Sequence, residues 1–433
     1  MKKVLVVGYA RSGKYAALLL EKNGYAVSVT DAKVIDDKNE LESLGIKVFD
    51  GGHPATLIAE EWEFVVKNPG IPYHAPFIQQ LIEKKQRILT EIEVASWFVQ
   101  NYEYAAITGT NGKTTITALL GHLLKMQYPK SYAVGNIGIP LSELVYHEGD
   151  IEAKIALEIS GFQLVGIESF HPSVSVITNL TPDHLDYFTS LDEYYQSKTR
   201  VYLNQNEDDW YILNCDDEEV VKYSQNVPCK IIRLSLNKKQ DIYLDHDQVY
   251  LFDTFLFSKT DLKLVGKHNL VNAMIAATMA FKMGVTAHHI QKGIQEFYGV
   301  AHRIEYVKVI DEVAYYNDSK ATNVDSTIVA LQSFEQPIIL LAGGYDKKTG
   351  FNDLIPYMDK VKKLIVYGAT KMQLQVLKND TIVVNTLEEA ILVAKKEAVA
   401  HDIILLSPAC ASYDQYQNFE ERGEEFKRIV NEL

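Results

Sequence analysis

The chain has 433 residues, a net charge of −14, and 47% hydrophobic against 23% charged residues. Those proportions are ordinary for a globular protein of roughly two to four domains, and the acidic balance excludes a bulk basic field for nucleic acid. Three cysteines, Cys215, Cys229 and Cys410, are too scattered for a disulfide framework or a zinc site, and no apolar run is long enough to span a membrane.

The N-terminus, MKKVLVVGYA, enters a strand and a glycine turn directly. It does not read as a signal peptide, so the expected compartment is the cytosol. Residues 2–7 form the predicted strand, residues 8–14 (GYARSGK) a loop, and a helix follows through Leu20. A second strand at 27–30 ends at Asp31, an acidic residue roughly twenty positions after the glycines, as in a dinucleotide fold. The details depart from that pattern, because Ala10 replaces the second glycine and Tyr15 the hydroxyl of a Walker-type loop. A diphosphate at the helix start still fits. Strand 64–67 leads into NPGIP (68–72), at a strand end where open α/β sheets bind ligands. Helix 75–84, strand 87–89 and helix 90–98 follow, with a boundary near 99–103.

Residues 104–117, YAAITGTNGKTTIT, carry the strongest signal. A short apolar strand (105–107) breaks at Thr108-Gly109-Thr110-Asn111-Gly112, and a helix starts at Lys113. Glycines let the backbone approach an anion, and N–H groups at a helix start point at it. Lys113 adds a mobile positive charge, and the hydroxyl of Thr114 or Thr115 suits Mg²⁺. The loop is not a strict Walker A, since Ile107 stands where its first glycine would be.

Strand 132–134 ends in the polar turn 135–138, which holds Asn136. Strand 155–159 carries one carboxylate, Glu158, which is costly there unless paired or bound to metal. Strand 174–178 feeds NLTPDHLDYF (179–188), where His184 stands between Asp183 and Asp186. Residues 192–202 are helical and include Lys198. Residues 204–264 read as irregular, with hairpins at 241–251 and 254–257. GKHNLVNAMIAA (266–277) opens a strong helix, with Asn269 and Asn272 on one face, able to donate and accept toward adenine or phosphate. Beyond it, strands at 314–316, 338–341, 364–367, 382–384 and 403–406 alternate with helical stretches, which predicts a Rossmann-like sheet. Two loops at strand ends stand out, AGGYDKKTGF (342–351) and SPACASYDQYQNFEERGEEF (407–426).

The strings TGTNGKTT, NLTPDHLDYF, GKHNLVNA and SPACASYDQY resemble those of the Mur ligase family, ATP-dependent amide ligases of cell-wall precursor synthesis. The resemblance implies an α/β chain of three domains. Residues 1–99 would be a Rossmann-like domain for a UDP-substrate. Residues 100–299 would be a central P-loop-type ATPase domain with a mostly parallel sheet. Residues 300–433 would be a Rossmann-like domain that binds the amino acid acceptor and closes over ATP. It also implies roles for the residues above. Gly109, Thr110, Asn111, Gly112, Lys113, Thr114 and Thr115 would cradle the ATP phosphates, with Asn269, Asn272, Arg303, Asp318 and Lys320 completing the ATP site. Thr115, Glu158, His184 and a carbamylated Lys198 would serve Mg²⁺, and Lys113, His184 and Lys198 would be catalytic. Ser12 and Gly13 would face the substrate diphosphate, Asp31 its uracil and Gly70 its sugar, and Asn136 would be a further substrate residue. Lys347 or Lys348, with Ser412, Tyr413 and Phe419, would hold the acceptor.

The last loop is closest to that of the D-glutamate-adding branch. The expected ligands are therefore UDP-N-acetylmuramoyl-L-alanine, D-glutamate, ATP and Mg²⁺, on a monomer with no nucleic-acid or membrane partner. The alternatives are another acceptor amino acid within the family, a nucleotide-binding regulator without turnover, and an NAD-dependent oxidoreductase built on residues 8–13.

Overall fold

A strand such as β1 (Lys3–Val7) is apolar on both faces and needs cover on both, which a parallel sheet between helices gives. The computed structural model describes residues 1–182, 187–188, 190–345 and 350–433, and their strands form three sheets. The first contains β1, β2 (Ala26–Thr30), β3 (Lys47–Phe49), β4 (Phe64–Lys67) and β5 (Ile88–Leu89). Its order is β3-β2-β1-β4-β5, parallel throughout. Val4 and Val6 enter one core and Leu5 and Val7 the other, as the two-residue period of a strand requires.

The second sheet has nine strands among the described residues. They are β6 (Tyr102–Thr108), β7 (Ser131–Gly135), β8 (Ala153–Glu158), β9 (Val174–Ile177), β10 (Trp210–Asn214), β11 (Lys230–Leu234), β12 (Ile242–Asp245), β13 (Gln248–Leu251) and β14 (Thr254–Ser258). The order is β14-β13-β12-β11-β10-β9-β6-β8-β7, with antiparallel pairing only where β13 meets its two neighbours. The expected hairpins are present as β12–β14. The expectation of an otherwise irregular stretch at 204–264 is corrected, because β10 and β11 extend the parallel sheet there. The expected helix 192–202 is α-helical over Leu191–Thr199 and tightens to a 3₁₀ turn over Arg200–Tyr202.

The third sheet contains β15 (Glu305–Ile310), β16 (Val313–Asn317), β17 (Ile338–Gly343), β18 (Val361–Tyr367), β19 (Ile382–Val383) and β20 (Ile403–Leu406). Its order is β15-β16-β20-β17-β18-β19, parallel except for the hairpin β15–β16. The sequence reading missed β15, an edge strand that is only half-buried and lacks the dense apolar run of its neighbours.

By its contacts the chain divides into two units, Met1–Asp261 with Val271–Ile294, and Leu262–Leu270 with Gln295–Leu433. The first two sheets lie in the former and the third in the latter. No helix among the described residues is long and apolar enough to cross a membrane.

Candidate active site

Within the second sheet the chain order reverses at β6, which sits between β9 and β8. The C-terminal end of a strand at such a switch point opens into a crevice. β6 ends there at Thr108, and the helix Lys113–Lys125 begins after four loop residues. Gly109 and Gly112 hold φ at +139° and +83°, which a β-carbon penalises. Space excludes a β-carbon as well. At Gly112 it would lie 2.6 Å from Asn272 Oδ1, and at Gly109 it would collide with Thr178. Thr114 and Thr115 occupy the first helical turn, at the positive end of the helix dipole.

The segment after β9 braces this loop. Asn111 N donates to Asn179 Oδ1 (2.9 Å) and Thr110 N to Asn179 O (3.0 Å). Thr178 Oγ1 donates to Asn111 O (2.6 Å) and Thr110 Oγ1 to Thr181 O (3.2 Å). Lys113 Nζ folds back on the loop and donates to Gly109 O (2.9 Å) and Thr110 O (2.7 Å). Lys198, only 2% exposed, reaches the same carbonyl, with Nζ 3.1 Å from Gly109 O and 4.2 Å from the Tyr194 ring centre. The loop anchors Thr178, Asn179 and Thr181 are not among the site residues expected from sequence, although Asn179 opens the motif NLTPDHLDYF.

Parallel register sets Ile107 of β6, Glu158 of β8 and Gly135 of β7 side by side. Glu158 is 2% exposed. Its Oε1 accepts from Asn136 Nδ2 (2.8 Å), and its buried Oε2 has no hydrogen-bond partner among the described residues. An undonated carboxylate oxygen in the interior is costly, and a hard divalent cation is the kind of partner that offsets the cost. The donor set, a carboxylate beside a phosphate loop with threonine hydroxyls, therefore fits Mg²⁺. His184, with Asp183 and Asp186, lies outside the described residues. Among the described residues alone, no group of three or more His, Cys, Asp or Glu is placed to hold a metal.

The first sheet reverses its order between β1 and β4, and the loops after those strands meet at their C-terminal ends. Asn68 Nδ2 donates to Ser12 Oγ (3.0 Å), while Asn68 Oδ1 accepts from Gly70 N (3.0 Å). Gly13 lies in the first turn of the helix Arg11–Lys22. Asp31, just past β2, accepts from Tyr9 N (2.6 Å) and Lys33 N (2.8 Å). Ser12, Gly13, Gly70 and Asp31 thus share one sheet edge.

In the second unit, Asp318 follows β16 and accepts from Ser407 Oγ (2.7 Å) and Ile304 N (3.2 Å). Burial pushes its carboxyl up to about 7, against the pull of those hydrogen bonds and of the Arg303 charge. Lys320 Nζ lies 5.8 Å from the Phe419 ring centre. A cavity of about 410 Å³ is lined by Thr322, Ser412, Tyr413, Asn418, Phe419 and Glu420, so three of the predicted acceptor residues converge on it. Lys347 and Lys348 lie outside the described residues. The sequence reading did not anticipate Arg422, which is 0% exposed. Its guanidinium donates to Ser319 Oγ, Ser319 O, Gly343 O, Ala411 O and Cys410 O, and so ties the wall of this cavity to the loop after β16.

Asn269 and Asn272 divide between the two units. Asn272 packs at Gly112, whereas Asn269 Nδ2 donates to Val265 O (2.7 Å) in the turn before its own helix. A larger cavity, about 930 Å³, lies between the helix Leu191–Thr199 and residues 222–228, and no predicted site residue lines it. Its walls carry none of the phosphate-loop groups, so the chemistry is assigned to the loop and not to the larger space.

Residues 107–280 match the Mur ligase middle domain, and residues 302–410 match the glutamate ligase domain of Mur ligases. Over 442 aligned residues the chain is 40% identical to a UDP-N-acetylmuramoylalanine–D-glutamate ligase of Listeria monocytogenes serotype 4b (strain F2365), with 100% of this chain and 97% of the relative covered. A ligase of the same name from Staphylococcus aureus (strain MRSA252) is 40% identical, with 98% and 96% covered. Among solved structures, UDP-N-acetylmuramate-alanine ligase MurC of Thermotoga maritima superposes with a TM-score of 0.57 at 20% identity, covering 100% of this chain and 99% of that one. MurF of Acinetobacter baumannii gives a TM-score of 0.59 at 16% identity, with 88% and 93% covered. With full-length likeness, two matched domains and a glycine loop set at a sheet's switch point, the chain belongs to the Mur ligase family.

Proposed function

We propose that the chain joins the L-alanyl carboxylate of UDP-N-acetylmuramoyl-L-alanine to the amine of D-glutamate, with ATP converted to ADP and phosphate. An amide bond between a carboxylate and an amine is uphill in water, and phosphorylating the carboxylate to an acyl phosphate supplies the driving force. The observation that carries this reading is the phosphate loop with, beside it, the buried Glu158 oxygen that has no partner among the described residues. A phosphate acceptor that is itself an anion needs positive charge on both sides of the transfer.

In this reading Lys113 swings from the loop carbonyls to the ATP phosphates, which helix-start N–H groups also hold. Thr115, Glu158, His184 and Lys198, the last as a carbamate, hold Mg²⁺, which when bound offsets charge on the transferring phosphoryl group. Asn272, Asn269, Arg303, Asp318 and Lys320 complete the ATP site. Ser12, Gly13, Asp31, Gly70 and Asn136 place the UDP-substrate. Ser412, Tyr413, Phe419 and one of Lys347 and Lys348 hold D-glutamate, a dianion that needs a cation and hydroxyl donors. The reading has three domains, 1–99, 100–299 and 300–433, in a protein that works as a cytoplasmic monomer on small molecules.

The test is phosphate release with ATP, Mg²⁺ and UDP-N-acetylmuramoyl-L-alanine, adding D-glutamate, L-glutamate, L-alanine or L-lysine in turn. Release that requires both the UDP-substrate and D-glutamate is expected. Release with a different amino acid would keep the chemistry and overturn the acceptor. Stimulation by bicarbonate would support the carbamate on Lys198.

A further inference from the structure

Lys67, the last residue of β4, is 0% exposed and pairs with no carboxylate among the described residues. A buried ammonium without a counter-ion is rare unless every N–H is taken. Here the three N–H groups have three acceptors: Asn68 O (3.2 Å), Ile71 O (2.7 Å) and Tyr187 Oη (3.0 Å). Tyr187 Oη in turn donates to Ile71 O (3.1 Å), which leaves its lone pair for the ammonium. The Tyr73 ring centre lies 4.5 Å from Nζ and adds a cation–π contact. Burial pulls the Lys67 amine down to about 7, while the three acceptors favour its charged form, and in that form no N–H is left for a ligand, so its work is on the protein.

That work joins two parts of the candidate site. On one side the ammonium gathers the carbonyls of the loop 68–72, whose Asn68 side chain holds Ser12 and Gly70. On the other, Tyr187 packs on Phe162, with ring centres 4.0 Å apart. Phe162 belongs to the short helix Gly161–Leu164, which starts three residues after Glu158. Tyr187 also follows His184 by three positions in sequence. One lysine side chain therefore clasps the loop assigned to the UDP-substrate against the segments that flank the phosphate-loop carboxylate.

We propose that Lys67 is a positioning residue, clasping loop 68–72 to Tyr187 so that the substrate carboxylate lies in register with the phosphate loop. This rests on the activity proposed above. The tests are Lys67→Met, which keeps chain length and removes the donors, and Tyr187→Phe, which removes one hydroxyl from a half-buried ring. Kinetics are read together with thermal melts.

Both variants are expected to lower kcat about tenfold and raise KM for the UDP-substrate severalfold, within the ~10²-fold that a 1 Å misplacement costs. KM for ATP should stay within about twofold, because the ammonium touches no phosphate-loop group. The double variant should be no worse than Lys67→Met alone, since the two groups form one clasp. A folded Tyr187→Phe with wild-type kcat and KM would overturn the proposal, and so would a rise in ATP KM equal to that for the UDP-substrate. Wild-type turnover in the same assay keeps failure of the activity reading separate from failure of this one.

Discussion

Glu158 and Arg422 show how single buried polar groups divide between chemistry and architecture. Arg422 has five N–H groups and five acceptors, so its charge is spent inside the protein. Glu158 has one oxygen satisfied by Asn136 and one with nothing among the described residues. The second pattern leaves a buried polar atom that calls for a further partner. Glu158→Gln should therefore lower D-glutamate-dependent phosphate release by about 10²-fold or more while the fold stands, because an amide of equal volume replaces a costly buried carboxylate. A variant with near wild-type turnover would remove Glu158 from the metal assignment.

At the scale of elements, the helix Leu141–Glu148 receives the buried carboxyl of Glu91 at its first turn, where Ser142 N donates to Oε2 (2.9 Å). Burial pushes the Glu91 carboxyl up to about 7 from an ordinary 4.5, and the Ser142 hydrogen bond only partly opposes this. Between those values the folded protein keeps a proton that the unfolded chain has lost. Stability then falls as pH rises from about 4.5 to 7, and the cost stays constant above. Glu91→Gln carries no charge at any pH, although its amide nitrogen stands where Oε1 has no partner among the described residues and so adds a pH-independent cost. Relative to wild type the variant should melt higher at pH 8 than it does at pH 5, because only the wild type loses stability across that range. Melting temperatures of both proteins across that range provide the check, and a constant difference would contradict the account.

At the scale of the molecule, all three tryptophans, Trp62, Trp97 and Trp210, lie in the unit that contains the first two sheets. Tryptophan fluorescence therefore reports that unit, while the predicted acceptor residues Ser412, Tyr413 and Phe419 lie in the other. A ligand at a hundred times its Kd adds about 2.7 kcal/mol to the state it binds. UDP-N-acetylmuramoyl-L-alanine alone should raise the tryptophan-detected transition by several degrees, and D-glutamate alone should leave it in place. A shift with D-glutamate and none with the nucleotide would reverse the assignment of substrates to units.

Local sequence was enough wherever conformation is a local matter. The turn Thr108–Gly112 was legible because glycines at positive φ, an apolar strand before and a helix start after all fall within a dozen residues. The doubly buried strands were legible for a similar reason, since two apolar faces leave a run with no polar gap, as in Ile338–Leu341. Pairing was not legible. β10 is a strand because β9 offers it an edge assembled from distant residues, and β10 in turn offers one to β11. Nor could the chain by itself say which polar side chains are buried. Lys67, Lys198 and Arg422 look like any surface cation in sequence, and each is enclosed by groups from segments far along the chain. The sequence by itself determined the chemistry the chain can carry and the turns that present it. Only the tertiary structure decided which charges are buried and what encloses them, because desolvation depends on neighbours that no local pattern names.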